Sequence, residues 1–298
     1  MKKIYDISMY IYQSMIYISS LFNSKAKKWV EGRKNQFISI ENFLKKEESI
    51  TWFHCASLGE YEQAKSLIEA YKIKYPEHKI LLTFFSSSGY DVCKKTNTED
   101  FIFYLPIDTK YNARKFINII NPAKAIFIKY EFWFNYIYEL KRRNIPIYSV
   151  SAIFRKNQFF FKYNWFKKQM KNFTHFFIQD KYSAHVLEKN NFTNYTVTGD
   201  TRFDTVVSNK QKPKQTPLIS NFCNKQKTII CGSTWPEDEK IIIKYIKEHS
   251  EYKYIIAPHE MGLVSRLKKQ TEGILYSELR KNKSKKSNVL IIDEIGIL

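Results

Sequence analysis

The chain has 298 residues, of which 44% are hydrophobic and 16% aromatic, and its formal net charge is +20. This length suits two domains of ordinary size, and the apolar content excludes an intrinsically disordered chain. The positive charge indicates either a solvated basic surface or attraction to an anionic partner, and composition alone leaves both open. Because no motif of the common RNA- or DNA-binding folds is present, we favour a phospholipid surface over nucleic acid.

The first predicted element covers residues 1–22. Its sequence from residue 4, IYDISMYIYQSMIYISSLF, is mostly apolar and tyrosine-rich, and a segment rich in lysine follows. Its length suits a bilayer crossing, but Asp6 and Gln13 make it a poor spanning helix. We therefore expect a membrane anchor that is interfacial or marginally inserted, with the basic flank on the cytoplasmic side. The alternative is a soluble amphipathic helix packed on the protein body.

From residue 50 onward, β-rich runs alternate with helical patterns, which is typical of βαβ units around a parallel sheet. The strands predicted for this first domain are 50–55, 79–85, 101–104, 124–129, 145–150, 174–179 and 194–198. The helices predicted between them are 60–74, 88–95, 109–120, 131–143, 159–171 and 180–190. This alternation places helices on both faces of the sheet.

A polar, proline-containing stretch then predicts a linker, and the alternation restarts after it. The second domain is thinner, with predicted strands 226–231, 252–257 and 288–292 and predicted helices 236–248 and 260–270. The predicted organisation is an anchor helix at 1–22, an N-terminal domain at 23–207, a linker at 208–221 and a C-terminal domain at 222–298.

The segment HCASLGEYEQAK, residues 54–65, joins a predicted strand to a predicted helix. Ligands of open α/β sheets bind at such carboxyl ends of strands, and Gly59 is expected to permit a tight turn there. Glu60 would then begin the helix, whose N-terminus lowers the pKa of a carboxylate and keeps it ionised, as a general base requires. The alternative is a first-turn acid that only stabilises the helix dipole.

Three further segments follow predicted strands. Glu131 occupies a place equivalent to that of Glu60, with the same two interpretations. The hydroxyls and amides of Ser86, Ser87 and Ser88 suit phosphate or sugar oxygens. Gly232-Ser233-Thr234, just before a proline, reads either as helix capping or as a phosphate cradle.

The histidines and cysteines lack metal-binding spacing, and no G-x-G-x-x-G or Walker A sequence is present. We therefore expect neither a metal nor another cofactor.

Nine segments resemble, in order, motifs of the 3-deoxy-D-manno-octulosonic acid (Kdo) transferase family: HCASLGE, LLTFFSSSG, YLPID, KYEFWFN, SAIFR, FIQD, GDTRFD, GSTWPEDE and APHE. Several of them look like the Bacteroidetes branch. The resemblance implies an α/β, GT-B-like glycosyltransferase with two Rossmann-like domains. It also implies transfer of Kdo from CMP-Kdo to a lipid A precursor, with inversion, at the cytoplasmic face of the cell inner membrane.

The resemblance also implies residue roles. Glu60 matches the glutamate of the family's S-x-G-E motif, the base that deprotonates the acceptor hydroxyl. Glu131 matches the second acid of E-x-E-L-W, in which Lys129 replaces the first. The remaining acceptor-side residues are Ser57, Gly59, Ser86, Ser87, Ser88 and Arg155. The donor-side residues are Arg202, Gly232, Ser233, Thr234, Pro258, His259 and Glu260, the last three matching P-R-H-P-E-R without its arginines.

The family continues beyond VLIIDEIG with a glycine-rich segment and an H-N-x-x-E motif. The resemblance therefore predicts a C-terminally truncated chain with an incomplete second domain. An alternative function is a catalytically incompetent remnant that binds the acceptor or the membrane. The ordered motifs disfavour a third possibility, a basic nucleic-acid-binding protein.

Overall fold

The computed structural model describes residues 1–44, 49–96, 99–211, 216–281, 286–294 and 297. The chain divides into two compact units, Met1–Lys212 and Pro213–Leu298. Each unit is an α/β structure, in agreement with the class expected from the alternating pattern.

Within its described residues, the first unit contains a seven-stranded, wholly parallel sheet in the order β3-β2-β1-β4-β5-β6-β7. The strands are β1 (Ile50–Cys55), β2 (Lys79–Phe84), β3 (Phe101–Tyr104), β4 (Lys124–Ile128), β5 (Ile147–Ala152), β6 (His175–Ile178) and β7 (Tyr195–Val197). The strand order reverses between β1 and β4. In doubly wound sheets this switch point opens a crevice at the carboxyl ends of the two strands.

The helices of this unit join successive strands or precede the sheet. They are α1 (Lys2–Ser19), α2 (Ser24–Glu31), α3 (Gln36–Phe43), α4 (Leu58–Lys74), α5 (Ser87–Thr96), α6 (Lys110–Ile120), α7 (Phe134–Arg142), α8 (Phe159–Lys162), α9 (Asn164–Met170), α10 (Lys181–Lys189) and α11 (Arg202–Gln211).

The sheet is buried on both faces because successive side chains of a strand point in opposite directions. Trp52 of β1 and Phe127 of β4 belong to one core cluster, whereas their neighbours Phe53 and Ile126 belong to the other. The near-continuous apolar runs in these strands are therefore explained by helices that cover both faces. The central strands are held firmly in place by these two cores.

Helix α1 packs on the first unit through one face only. The Tyr5 hydroxyl donates to Asp108 at 2.5 Å, and its ring packs against Phe134 at 5.3 Å. The opposite face carries a row of apolar side chains that are more than half exposed: Ile4, Ile7, Ile11, Met15 and Ile18. Among the described residues, no helix combines the length and apolar character that a bilayer crossing requires.

The second unit has a parallel sheet that, in the part of the chain described, contains four strands in the order β10-β11-β9-β8. Its strands are β8 (Thr228–Thr234), β9 (Lys253–Pro258), β10 (Ile274–Leu275) and β11 (Val289–Ile291). Its helices are α12 (Pro217–Cys223), α13 (Pro236–Glu248), α14 (Val264–Thr271) and α15 (Tyr276–Arg280), with a 3₁₀ turn at Met261–Leu263. Small cores cover both faces of β9, with Ile255 on one side and Ile256 on the other.

Three predicted elements differ from the structure. The helix predicted at 131–143 begins only at Phe134, so Glu131 precedes it. The helix predicted at 159–171 is interrupted at Tyr163, whose backbone is extended. Part of the predicted linker 208–221 is helical, since α11 ends at Gln211 and α12 begins at Pro217. Residues 212–215 of that linker lie outside the described residues.

Candidate active site

The two candidate carboxylates follow the two strands that flank the switch point of the first unit. Glu60 lies in the first turn of α4, directly after β1. Glu131 lies in the turn between β4 and α7. Because β1 and β4 are hydrogen-bonded neighbours, with His54 opposite Phe127, both acids reach the same end of the same crevice.

Glu60 is 7% exposed, and its side chain turns back toward the strand. The Ala56 backbone N–H donates to Glu60 Oε2. The Ser57 carbonyl accepts from the backbone N–H groups of Glu60 and Tyr61, at 3.2 and 3.1 Å, which begins α4. Ser57 is the N-cap residue, but its hydroxyl makes no capping bond to the described residues. Thus the Glu60 carboxylate, and not the Ser57 hydroxyl, accepts a hydrogen bond from a backbone N–H group at the start of α4.

Glu131 is held by an irregular turn instead of a helix. The turn starts at Lys129, whose backbone is left-handed with φ 61°. The Lys129 N–H donates to the Val150 carbonyl at 2.8 Å, and the Ser149 hydroxyl donates to the Lys129 carbonyl. The Glu131 carbonyl accepts from the Trp133 N–H at 3.2 Å. The prediction of a first-turn acid at Glu131 is therefore wrong, because α7 starts three residues later.

Burial raises the pKa of both carboxyls. The pKa of Glu131 rises to about 8, through burial and then through the negative charge of Glu60. For Glu60, the Ala56 amide and the charge of Lys129 oppose the effect of burial. The expected lowering of the Glu60 pKa is thus wrong, since desolvation outweighs the helix terminus. Burial thus makes Glu60 more basic than an exposed glutamate, and the negative charge of Glu60 adds to the rise of the pKa of Glu131.

A buried histidine, which sequence analysis missed, supports the loop that carries Glu131. The Trp133 indole N–H donates to His54 Nε2 at 3.1 Å, and His54 Nδ1 lies 2.9 Å from Thr83 Oγ1. Because indole only donates, the neutral His54 ring carries its proton on Nδ1 and donates it to Thr83. Burial lowers the pKa of His54 to about 3. The sequence did contain a signal for His54, because it lies two residues after Trp52 and the two side chains therefore share one face of β1.

The serine segment lies beside Glu60. The Ser86 N–H donates to the Ala56 carbonyl at 2.8 Å, and the Ser86 and Ser88 hydroxyls are 2.8 Å apart. Ser87 begins α5, so the N-termini of α4 and α5 are adjacent. A Cβ atom on Gly89 would meet the Phe84 ring at 2.3 Å and the Leu58 nitrogen at 3.1 Å. Glycine at 89 is therefore required for this close packing.

Gly59 has a different explanation from the one expected. Its φ is not in the left-handed region, and an added Cβ would meet only Ser57 Oγ, at 4.0 Å. The prediction that Gly59 enables a tight turn is wrong, because Gly59 lies inside the first helical turn. Because glycine has no side chain, the first turn of α4 is left uncovered at this position.

Arg202, predicted on the donor side, is neutralised by a neighbour. Its guanidinium bonds the Asp200 carboxylate, with Nε at 2.9 Å from Oδ2. Asp200 also accepts from Gln63 at 3.2 Å. Gln63 in turn lies 3.4 Å from the hydroxyl of Ser151, a buried residue with φ 56° at the end of β5. Arg202 thus belongs to a polar network of the first unit and does not offer a free charge.

Arg155, predicted on the acceptor side, is exposed. It lines an open depression of about 410 Å³ together with Lys156, Asp180 and Tyr182. Asp180 caps α10 by accepting from the Ser183 N–H at 2.6 Å, so its carboxylate is engaged. This depression follows β5, at the same edge of the sheet as the two glutamates.

In the second unit, the predicted donor residues converge at the ends of β8 and β9. Ser233 has φ 55° where the register shifts, and its hydroxyl lies 3.0 Å from His259 Nδ1. The His259 ring stacks on Trp235, with centroids 4.1 Å apart. Pro258 ends β9, and Glu260 follows in an exposed position.

Two details of the predicted capping sequence differ. Gly232 lies within β8, opposite Ala257, because the strand extends to Thr234. Thr234 does not cap α13, since its hydroxyl donates to Glu239 at 3.4 Å. The N-cap is Trp235, whose backbone N–H donates to the Asp238 carboxylate at 2.9 Å.

Among the residues that the structure describes, no three His, Cys, Asp or Glu side chains come close enough to hold a metal ion.

Similarity to known structures agrees with this architecture. The crystal structure of UDP-GlcNAc 2-epimerase from Neisseria meningitidis bound to UDP-GlcNAc matches with a TM-score of 0.58 and 14% identity, over 83% of this chain and 72% of that one. A UDP-N-acetylglucosamine 2-epimerase from Listeria monocytogenes matches with a TM-score of 0.57 and 13% identity, over 84% and 70%. The fold is thus GT-B-like, with two Rossmann-like units.

Residues 31–205 match the family model described as 3-deoxy-D-manno-octulosonic-acid transferase (kdotransferase). The chain belongs to this family. The match covers the switch point with Glu60 and Glu131 and most of the first unit.

Curated relatives extend the similarity over the second unit. A bifunctional glycosyltransferase/methyltransferase of Fusobacterium nucleatum is 24% identical over 92% of this chain and 44% of its own length. A 3-deoxy-D-manno-octulosonic acid transferase of Haemophilus influenzae is 34% identical over 34% of this chain and 24% of its own. One of Rickettsia felis is 27% identical over 68% and 44%. The chain therefore spans about half the length, or less, of these relatives.

Proposed function

We propose that the protein transfers Kdo from CMP-Kdo to a hydroxyl of a lipid A precursor in lipopolysaccharide core biosynthesis. The observation that carries this proposal is the pair of carboxylates, buried Glu60 and half-buried Glu131, at the switch point of the first unit. Withdrawing two acids from water at one sheet edge is costly for folding, and such perturbed groups concentrate at catalytic sites.

Glu60 is the general base in this proposal. It accepts the proton of the acceptor hydroxyl, and the oxygen forms a bond to the anomeric carbon of Kdo. The bond from that carbon to the phosphate oxygen of CMP breaks, CMP leaves, and the configuration inverts. A base acts best when its pKa approaches the working pH, and burial moves Glu60 in that direction. The pKa of Glu131, raised by burial and by the charge of Glu60, favours its protonated form, and we assign it a role in orienting the site.

The donor is expected at the end of β8 and β9. The stacked pair of Trp235 and His259 presents an exposed aromatic face, and a nucleotide base can stack on such a face. Ser233 and the backbone at Gly232 are exposed beside it and can contact phosphate oxygens. The acceptor is expected at the first unit, beside Ser57, Ser86 and Arg155.

The apolar face of α1 supports a position on the cytoplasmic face of the inner membrane. Side chains on this face lie in a row, and the body binds the opposite face through Tyr5. Such a helix lies in the plane of the interface. Ile11→Asp should lower co-sedimentation with lipid vesicles about tenfold or more. Ile73→Asp, at an isoleucine of α4 that is 84% exposed, should leave it unchanged, and equal effects would contradict the proposal.

The test of function is direct. The protein is incubated with CMP-Kdo and a lipid A precursor, and the lipid is analysed by mass spectrometry for added Kdo. The expected result is a product carrying Kdo, with release of CMP. An unmodified lipid, with the protein folded and bound to the precursor, would favour the second candidate, a non-catalytic acceptor-binding protein. That candidate has its support in the exposed face of α1.

A further inference from the structure

A cavity of about 320 Å³ lies in the first unit between α1, α3 and the start of α6. Its walls include Gln13 of α1, Arg33, Gln36 of α3, and Asn112 and Lys115 of α6. None of the described residues that line it is acidic. A lining of two basic side chains and several amides suits an anion that carries several hydrogen-bond acceptors.

Arg33 is a half-buried cation held only by neutral groups within the described part of the chain. Its Nε donates to the Leu105 carbonyl at 3.0 Å, and one N–H of Nη2 donates to the Phe85 carbonyl at 2.7 Å. Nη1 donates to the Trp29 carbonyl at 3.2 Å, and the guanidinium lies 3.6 Å from the Trp29 ring centroid. A guanidinium has five N–H groups, so two remain, one on each terminal nitrogen, and can donate to an anion.

Burial lowers the pKa of Arg33 to about 9, because no carboxylate compensates for the lost water. Two carboxylates of the first unit, Asp108 and Asp6, already accept hydrogen bonds from other groups. Asp108 accepts from Tyr5 and from the backbone of α7, and Asp6 accepts from Asn135 at 3.1 Å. Neither carboxylate therefore competes with an external anion for the charge of Arg33.

One donor at the cavity also has no acceptor among the described residues. The indole N–H of Trp29, a residue that lines the cavity and is 9% exposed, is buried without a hydrogen bond. Because buried donors are normally paired, this N–H suits a ligand that carries hydrogen-bond acceptors. Lys115 adds a second charge, and its ammonium lies 4.8 Å from the Phe37 ring centroid.

The position of the cavity indicates what carries the anion. Gln13 and Tyr17 form its wall on α1, and the exposed apolar row with Ile7, Ile11 and Ile18 lies on the same helix. A phosphate in the cavity would thus lie next to a surface that suits acyl chains. The Phe85 carbonyl accepts a hydrogen bond from Arg33, and the Phe85 ring packs on Trp133 at 4.8 Å, so Phe85 connects Arg33 to the loop that carries Glu131.

We propose that this cavity binds a phosphomonoester carried on a lipid headgroup, with Arg33 as the fork and Lys115 as the second cation. The inference deepens the proposed function and rests on it in one respect: the phosphate is that of the lipid acceptor. Binding it here would place the sugar of the headgroup toward Trp133 and the loop with Glu131.

The test is binding to phosphatidylcholine vesicles that contain either phosphatidic acid, a phosphomonoester lipid, or phosphatidylserine at matched surface charge. The wild type should bind the phosphatidic acid vesicles more tightly. Lys115→Ala should weaken that binding about tenfold by loss of one charge-assisted hydrogen bond, and should leave phosphatidylserine binding unchanged. The matched control is Lys110→Ala, at an exposed lysine of the same helix outside the cavity, which should change neither.

Arg33→Lys gives a second readout, since it keeps the charge and removes the fork. It should reduce the preference for phosphatidic acid while the thermal unfolding midpoint confirms a folded protein. Inorganic phosphate at millimolar concentration should compete with phosphatidic acid vesicles only partly. Complete competition at micromolar phosphate would identify free phosphate as the ligand and overturn the lipid assignment.

Equal losses for Lys115→Ala and Lys110→Ala, or equal wild-type binding to the two lipids, would show diffuse charge attraction and overturn the proposal. Because the readout is vesicle binding, these outcomes leave the transferase proposal standing. Conversely, intact lipid selectivity without any Kdo transfer would overturn the proposed function alone.

Discussion

The two sheet edges that carry the predicted site differ in how they are built. In the first unit, Glu60 and His54 are buried, and backbone amides and an indole bind them. In the second unit, Ser233, Trp235 and His259 are exposed and bond mainly to one another. At the first edge, burial shifts the pKa values of ionisable groups, whereas the second edge presents an exposed surface of aromatic rings and a hydroxyl.

This difference separates chemistry from binding. A buried carboxylate costs folding free energy and changes its pKa, which is useful only where protons move. An exposed stacked pair costs little and leaves a face free for a base. In the proposed function, proton transfer belongs to the first edge and nucleotide binding to the second, so substitutions at each edge should have different consequences.

The largest effect is expected at the first edge. Glu60→Gln should lower the transfer rate about 100- to 10,000-fold, because the amide cannot accept the proton. Kinetic assays of Kdo transfer measure this, with circular dichroism as a check of folding. Glu62→Gln, at an exposed glutamate of the same helix, is the matched control and should retain the rate. Equal rates in all three proteins would remove Glu60 from the mechanism.

At the second edge, Trp235→Ala should weaken binding of CMP about tenfold or more by loss of base stacking, without a change in stability of comparable size. Titration calorimetry with CMP measures it. Ile241→Ala removes a side chain of α13 that is 72% exposed and should have no effect. Unchanged affinity in Trp235→Ala would refute nucleotide binding on the stacked pair.

Two glycines at the first edge give a stability comparison. Gly89→Ala should destabilise the protein by about 1–3 kcal/mol, because the new methyl group collides with Phe84. Gly59→Ala should be neutral or stabilise it by about 0.5–1 kcal/mol, since the methyl group has space and alanine favours the helix. Urea unfolding measures both. A reversed order would show that the entrance of α4 is packed differently.

A further effect concerns acid stability. Folded His54 stays neutral down to a pKa of about 3, whereas the unfolded chain takes up a proton below the ordinary value of 6.5. Stability should therefore fall as pH decreases from 6.5 toward 3, by about 2 kcal/mol at pH 5. His54→Gln should remove this part of the pH dependence, while His185→Gln, at an exposed histidine, should not. An unchanged slope in His54→Gln would contradict a neutral buried ring.

The sequence predicted the strands of the first unit closely because their apolar runs are short and bounded, as in β1 and β3. It also placed Glu60 and Glu131 at strand ends, where the parallel sheet brings them together. The helices α2 and α3, with eight residues each, and the two-residue strand β10 were not predicted, since each is too short to give a sustained pattern. The direction of the Glu60 pKa depended on burial, which a local helix-dipole argument does not include.

Two contacts show what local patterns do and do not contain. The pairing of Arg202 with Asp200 is local, since the two residues are two positions apart, and the sequence offered it. The contacts of His54 are not local, because β2 and the turn before α7 supply Thr83 and Trp133. These contacts depend on the fold and have no spacing that a motif could record.

The most direct test of the central claim is the pH dependence of the transfer rate in the wild type and in Glu60→Gln. Burial raises the pKa of Glu60, so the wild-type rate should rise with pH through a midpoint above the usual range of glutamate and then level off. In Glu60→Gln that rise should be absent from the residual rate. The same inflection in both proteins would contradict Glu60 as the base.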